Sequence, residues 1–343
     1  MKNVLLLAFL VSATFGSVST LEAQQQLLMQ KVDTTYKSVN FVKITGSFAK
    51  ISIANNDISD IKLSGELRAN EKVNGFVLSH TLVADTLAVL ISYPKDNWVT
   101  HSGELRLSLP KGISVDIENT SGYIDIISCN DLKVNAVTTS GKFVVRNCGG
   151  TFALRSISGD ITASKYEGSL TIVSNTGKIS TSECVGNLDI TNLSGESSII
   201  THNGNIIAES TSGKIQMESI TGDIKAKTAS ATMKVSKVVG NLNLTSFSGT
   251  MTFFDIKGVI NNDSGAGDQL GQQINLTGNS KFVSTEGSIK LRLLNQTPDL
   301  TFKMVSESGF IQVRGESKKK KLKLGKGALL VESYSTTGGQ VVN

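Results

Sequence analysis

The sequence predicts an all-β, single-stranded parallel β-solenoid (β-helix) of about 18 residues per turn, built from two nine-residue units and coiled right-handed. Three observations predict it. Glycine recurs at every ninth position from Gly141 to Gly249, with Ala231 the one substitution. The second residue after each of these thirteen positions is apolar in all units but that of Ser197, and the fourth in all but that of Thr181. Apolar residues two apart with polar residues between them describe a strand with one buried face and exclude a helix. Finally, the residue before every second glycine is Ser or Thr (Ser140, Ser158, Thr176, Ser194, Ser212, Ser230 and Ser248), so two kinds of corner alternate and the period doubles.

Taken from the start, "MKNVLLLAFLVSATFGSVSTLEAQQQ" has one lysine, an apolar run, then small residues. It reads as a secretory signal peptide over residues 1–23, cleaved after Ala23 and too short to span a membrane. Residues 24–102 alternate more loosely ("FVKITGSFAKISIA", "LAVLISYP") and form an N-terminal β region that caps or starts the solenoid. Residues 103–260 are the regular solenoid. Glycines Gly141, Gly159, Gly177, Gly195, Gly213 and Gly249 mark its Ser/Thr corner, where the chain bends tightly or takes a positive φ; Ala231, in the same series, therefore has an ordinary φ. Ser140, Ser158, Ser194 and Ser212 line up there as a hydroxyl ladder. The seventh residue of a unit is usually apolar (Ile157, Leu193, Ile220, Val238, Phe247, Ile256), so each unit points inward twice, turns, and points inward once more. Cys129, Cys148 and Cys184 share this inward stack with Tyr166 and His202. Cys129 and Cys148, on neighbouring rungs, are close enough for a disulfide, though such sparse cysteines fit buried, unpaired thiols better. After Gly258 the phase dissolves in "NNDSGAGDQLGQQ", and residues 261–343 continue as an irregular solenoid and cap.

Little in this pattern carries chemistry. Cleavage removes Lys2 and Glu22 together, leaving the net charge at +5. The excess sits in the last thirty residues, where Arg314 and the lysines Lys318, Lys319, Lys320, Lys321, Lys323 and Lys326 face only Glu316 and Glu332. This basic patch is the candidate binding site, for an anionic glycan, lipid headgroup or nucleic acid; its bland counterpart is a solvated turn. "GESKKKKLKLGKG" contains no aromatic residue for base stacking, which speaks against specific nucleic-acid recognition. No catalytic residue, cofactor or metal is implied: Asp160 and Asp223 are not phased with a nucleophile, His202 faces inward, and uniformly short turns leave no walled cleft. The paired glycines and phased Asp of calcium-binding β-rolls are missing. The outward ranks (Thr162, Ser180, Gln216, Lys225) are too mixed for an ice-binding face.

The signal peptide, "LSLPKGISVDIENTSGYIDI", the recurring "TSGK", "ISGD", "TGD" and "VGNL" steps, and the closing "GSIKLRL" and "SESGFIQVRG" together resemble the bacterial exported proteins known as "putative adhesins". "EAQQQ" at the cleavage site is similar to secreted proteins of the Bacteroidota. The resemblance implies a β-solenoid in the periplasm, on the outer surface or outside the cell, with an adhesive or scaffolding role. Envelope glycans or other surface proteins are the expected partners, and no catalytic residues carry over. The leading expectation is a non-enzymatic, adhesin-like interaction module. The alternatives are a polysaccharide-active enzyme with its site on the irregular flanks, and a self-associating structural envelope protein.

Overall fold

A nine-residue unit has too few apolar side chains to fold alone, and stacking supplies the missing contacts. The computed structural model describes residues 26–55, 57–94 and 99–343; the proposed signal peptide lies outside them. It is all-β, a parallel β-solenoid of about 10 turns with about 18 residues per turn. Each turn contributes two extended segments, joined as one bent strand in Lys142–Ser156, Ile161–Ser174 and Ile179–Asn192 and separate in the turns that follow. Ser197–Asn203 and Ile206–Ser210, for example, lie in register under Ile215–Thr221 and Ile224–Thr228. Ile161 pairs with Ile179 and Ser197 with Ile215, so equivalent residues stack. Ile161, Ile179 and Ile215 are fully buried in one continuous core.

Both corners press glycine against the turn before it, and one of them adds a demand on φ. At Gly150, Gly168, Gly186, Gly204, Gly222 and Gly240 the backbone is left-handed, with φ between 114° and 153°. At Gly159, Gly177, Gly195 and Gly213 φ lies outside that range, and the turn below is what excludes a side chain. A Cβ there would stand 1.8–2.1 Å from the carbonyl oxygen of the glycine one turn back. Ala231 falls in this second series and has no positive φ, as expected. From Gly141 to Gly249, positive φ is therefore a property of the alternate corner, not of the Ser/Thr corner.

Two hydroxyl columns hold the Ser/Thr corner. The expected ladder is present, and it is exposed: Ser158 and Ser194 donate to the carbonyls of Thr139 and Asn175 at 3.3 and 3.1 Å. A second, buried column lies beside it. The side chains of Ser156, Ser174, Ser210 and Ser246 each accept the N–H of the glycine three residues on, at 2.7–3.1 Å. A hydroxyl bonded back to nearby backbone in this way defines a tight turn. At the Ser/Thr corner the residues after glycine alternate in sign from Lys142 to Lys214, and Glu196 lies between Lys178 at 3.7 Å and Lys214 at 3.6 Å. Exposed pairs add little stability, but a slip by one rung would set like charges together.

Two sequence readings are corrected. The seventh residue points inward only in the unit that follows a Ser/Thr corner. There, one residue per turn (Asn147, Lys165, Glu183, Thr201, Ser219, Lys237, Asp255) takes a left-handed φ of 51–59°, which shifts the alternation and turns Cys148, Tyr166 or Ile220 into the core. The other unit lacks that kink, so Ser156 and its column point in and the next residue points out. Ile157, Leu193 and Phe247 are consequently exposed. Nor does the phase dissolve after Gly258. Gly267 stacks on Gly249 and Ile274 on Ile256, with Gln269 and Gly271 at inward positions that are normally aliphatic. Buried Gln269 is accommodated because its amide donates to Ser264 at 2.9 Å and to the carbonyl of Val283.

The flanks differ from a simple continuation, because both ends are interleaved. Phe41–Gly46 lies between Ser114–Asn119 and Thr86–Ser92, and Lys50–Asn55 lies between Tyr123–Ile127 and His101–Leu109. Antiparallel strands Ile61–Ala69, Leu27–Tyr36 and Val77–Val83 finish that end. At the other end Leu329–Ser335 inserts between Ser280–Ser284 and Leu300–Val313, and Glu316–Leu324 folds back antiparallel as the outermost strand. Each end thus threads a chain-terminal rung inside a rung contributed from nearer the middle of the chain. The outer antiparallel strands cover the parallel edges beneath them.

The two glycine series differ in tolerance. Gly222→Ala combines a φ of 144° with a Cβ 2.1 Å from the Gly204 carbonyl oxygen, and it is expected to cost about 1–3 kcal/mol. Ala231→Gly is expected to change stability by no more than about 1 kcal/mol. Thermal or urea unfolding of the two variants checks both values.

Candidate functional site

The inward serine column leaves a mark on the outside of the solenoid. The residues on either side of it both point outward and splay apart, so a trough runs along the column axis. Its floor is Ser174, Asn192, Ser210, Thr228, Ser246 and Ser264. One wall carries Val173, Thr191, Glu209, Lys227, Thr245 and Asp263; the other carries Asn175, Leu193, Thr211, Ala229, Phe247 and Gly265. The trough encloses about 740 Å³ and reaches Thr285, so it crosses seven rungs. At ~4.8 Å per rung this is a track of roughly 29 Å. The expectation that short turns leave no concavity is therefore corrected: side-chain columns, not loops, make the walls.

The floor side chains turn their polar groups inward to the corner, so the polar groups open to the groove are those of the walls. The accessible lining is more apolar than polar, with two apolar side chains that stand proud of the surface. Phe247 is 76% exposed and Leu193 is 50% exposed. The groove's charges nearly cancel, with Lys227 against Glu209 and Asp263. Glu209 and Asp263 stand three rungs apart, about 14 Å at the strand spacing. A glycosidase pair sits within about 10 Å. Asp189 has its carboxyl raised, first by partial burial and then by the charge of Glu209. It lies outside the groove lining.

The sequence-predicted basic residues are spread along the outermost strand at the C-terminal end, and Lys319 and Lys320 reach the same corner. Lys318, Lys319, Lys320, Lys321 and Lys323 lie on the outermost strand, Glu316–Leu324, and Lys326 follows it; all six are exposed, while Leu322 between them is buried. The corner continues from the groove toward them, since Thr337 donates its N–H to Thr285 and Ser308 donates to Thr336 at 3.1 and 2.9 Å. Strand pairing sets Phe310 opposite Lys319. An aromatic residue missing from the lysine-rich segment itself is thus supplied across the hairpin. Here a second hollow of about 580 Å³ is lined by Glu307, Ser308, Phe310, Lys319, Lys320 and Thr337.

The other candidates are structural. Asp160, Asp223 and Asn241 each accept the N–H of the residue one turn later, at 2.8–3.2 Å, which secures the rungs and accounts for polar residues after glycine. The glycines and serines singled out from the sequence shape the corner that creates the groove. Cys129, Cys148 and Cys184 are buried and free. The neighbouring Cys148 thiol, together with burial, pushes the Cys129 thiol up, and burial does the same to Cys184. Tyr166 donates its hydroxyl to the Gly150 carbonyl at 2.8 Å. His202, two rungs on, places Nε2 3.0 Å from the Gly186 carbonyl in the equivalent position. That geometry makes Nε2 the protonated nitrogen.

No family model and no curated protein matches the chain. Among solved structures the chain is similar to a "putative cell adhesion protein" from Clostridium sporogenes, at 11% identity, covering 91% of this chain and 98% of that one with a TM-score of 0.23. It is also similar to a "putative lipid binding protein" from Parabacteroides distasonis, at 10% identity, covering 92% and 96% with a TM-score of 0.27. At such scores neither likeness carries a functional argument. No helix among the described residues is long and apolar enough to cross a membrane.

Burial lowers the pKa of His202 below its usual 6.5, because charging the ring inside the core costs solvation. The unfolded chain then binds a proton that the folded chain refuses. Stability is complete above pH 6.5 and falls as pH drops below it, by linkage. His202→Leu is expected to flatten the decline of the melting temperature between about pH 6.5 and pH 5, a window set by the ordinary imidazole value. An unchanged slope would mean that His202 is not buried neutral.

Proposed function

We propose that this protein is an exported, non-enzymatic interaction module of the cell surface or envelope, adhesin-like in role, that binds an extended glycan along the corner groove. Export rests on the apolar N-terminal leader of the sequence. The single observation that carries the binding reading is the groove's walls: exposed Asn175, Thr191, Thr211, Lys227 and Thr245 recur at the rung spacing, with Leu193 and Phe247 projecting among them. Sugars present the complementary surface, with hydroxyls at the ring edge and apolar C–H groups on the ring face, and a rigid aromatic offers contact area at low entropic cost. Repetition at the rung spacing suits a polymer lying parallel to the axis. The separation of Glu209 and Asp263 favours binding over hydrolysis.

The test is binding of the mature protein to an array of envelope and cell-wall polysaccharides. Phe247→Ala removes a side chain that is mostly in solvent and leaves the core intact. The expected result is retained melting temperature with about tenfold weaker glycan binding, equivalent to about 1.4 kcal/mol. Binding to no glycan, or binding that ignores Phe247, would refute the groove reading.

A further inference from the structure

Four consecutive lysines on an outermost strand have a ready explanation as edge protection, since charge on a free edge prevents end-to-end pairing of columns. That explanation leaves Phe310 unaccounted for. This large ring is 56% exposed on the neighbouring strand, directly opposite Lys319. An edge built only to repel would not leave an aromatic surface beside its charges. The ring is also held in place. It lies over Gly339, where a Cβ would stand 2.6 Å from its Cε1 atom, so one side is fixed on backbone. Lys320 has a φ of 71° at the bulge where the hairpin register slips between Val305 and Phe310, which brings it to the same hollow.

We infer that this hollow is a subsite for an acidic sugar, a pyranose whose ring stacks on Phe310 while its carboxylate lies between Lys319 and Lys320. The inference rests on reading the adjoining groove as a glycan track, and names the chemistry at its C-terminal end. Two ammonium groups offer charge-assisted hydrogen bonds to one carboxylate. Ser308 and Thr337 supply hydroxyls at the rim. Glu307 accepts the hydroxyl of Tyr334 and retains lone pairs for sugar hydroxyls.

Charge distribution favours a sugar over nucleic acid. A phosphate backbone requires cations along its whole path. The groove offers Lys227 against two carboxylates, Glu209 and Asp263. One cationic cluster at the end of a nearly neutral track fits a largely neutral glycan that carries an acidic sugar at one position.

The experiment is a saturation-transfer NMR titration of the mature protein with glucuronic acid and with glucose, in parallel with inorganic phosphate, oligothymidylate and phosphatidylglycerol vesicles. Glucuronic acid is expected to bind at least about tenfold more tightly than glucose, and to weaken with added salt. Phe310→Ala and the double variant Lys319→Gln/Lys320→Gln should each remove about tenfold of that binding. Substituting the exposed lysines leaves the melting temperature unchanged, and the loss of the Phe310 ring from Gly339 lowers it only slightly. Phe247→Ala should leave it unchanged. That contrast separates this subsite from the groove: loss of polysaccharide binding with glucuronate binding intact would overturn only the groove reading. Equal binding of glucose and glucuronate, or binding of neither, would overturn the subsite. So would tighter binding of phosphate, oligothymidylate or vesicles, each of which would mark a general anion patch.

Discussion

The structure depends on one close approach. At the Ser/Thr corner the carbonyl oxygen of each glycine occupies the space in which the next glycine would carry a Cβ. Only a residue without a side chain, or an alanine with local adjustment, lets one turn settle on another at strand spacing. Because every turn must bring that corner to the same place, turn length is held near eighteen residues and each side chain stacks on its equivalent. The core is then a set of columns, and so is the surface. A buried serine column flanked by two outward columns necessarily leaves a trough, so the groove is a by-product of the turn that the serines hold.

The same regularity creates a problem at the ends, where a parallel stack presents unpaired backbone. Interleaving answers it. At each end a rung from the chain terminus is trapped beneath a rung from nearer the middle, and antiparallel strands close over the edge. Melting an end rung therefore requires disturbing its neighbour, which couples the terminal turns to the body of the column. The lysine-rich strand belongs to this closure. Its exposed cations sit beside Phe310 because the hairpin pairs them, and an edge-protecting element comes to flank a usable surface.

Much of the fold was legible in the sequence, because the determinants of a repeat are local and recur. The inward positions of Ile161, Ile179 and Ile215, the alternating corners, the hydroxyl ladder and the ordinary φ of Ala231 all follow from spacing alone. What was illegible depended on features with no sequence signature. The kinked residue before Cys148, Tyr166 or Ile220 is Asn, Lys or Ser, not glycine, so nothing distinguished the unit whose seventh residue turns in from the unit that turns Phe247 and Leu193 out. Gln269 and Gly271 hid a regular rung because an aliphatic pattern was broken by a buried amide with its own hydrogen-bond partners. Strand order at the ends is set by long-range pairing, which periodicity does not encode. For the candidate site, the lysines were visible as composition. Phe310 was not connected to them, since only the hairpin register sets it against Lys319.

The most direct test of the stacked column is chemical cross-linking of engineered cysteine pairs on its outer face. Thr162 and Ser180 are register partners on adjacent turns, whereas Thr162 and Thr171 are one nine-residue unit apart in the same turn, on either side of the bend in strand Ile161–Ser174. The native thiols are buried and do not compete. The account predicts that a short bifunctional thiol reagent links Cys residues at 162 and 180 efficiently and leaves those at 162 and 171 unlinked. Preferential linkage of 162 to 171, or of neither pair, would contradict an eighteen-residue stacked turn.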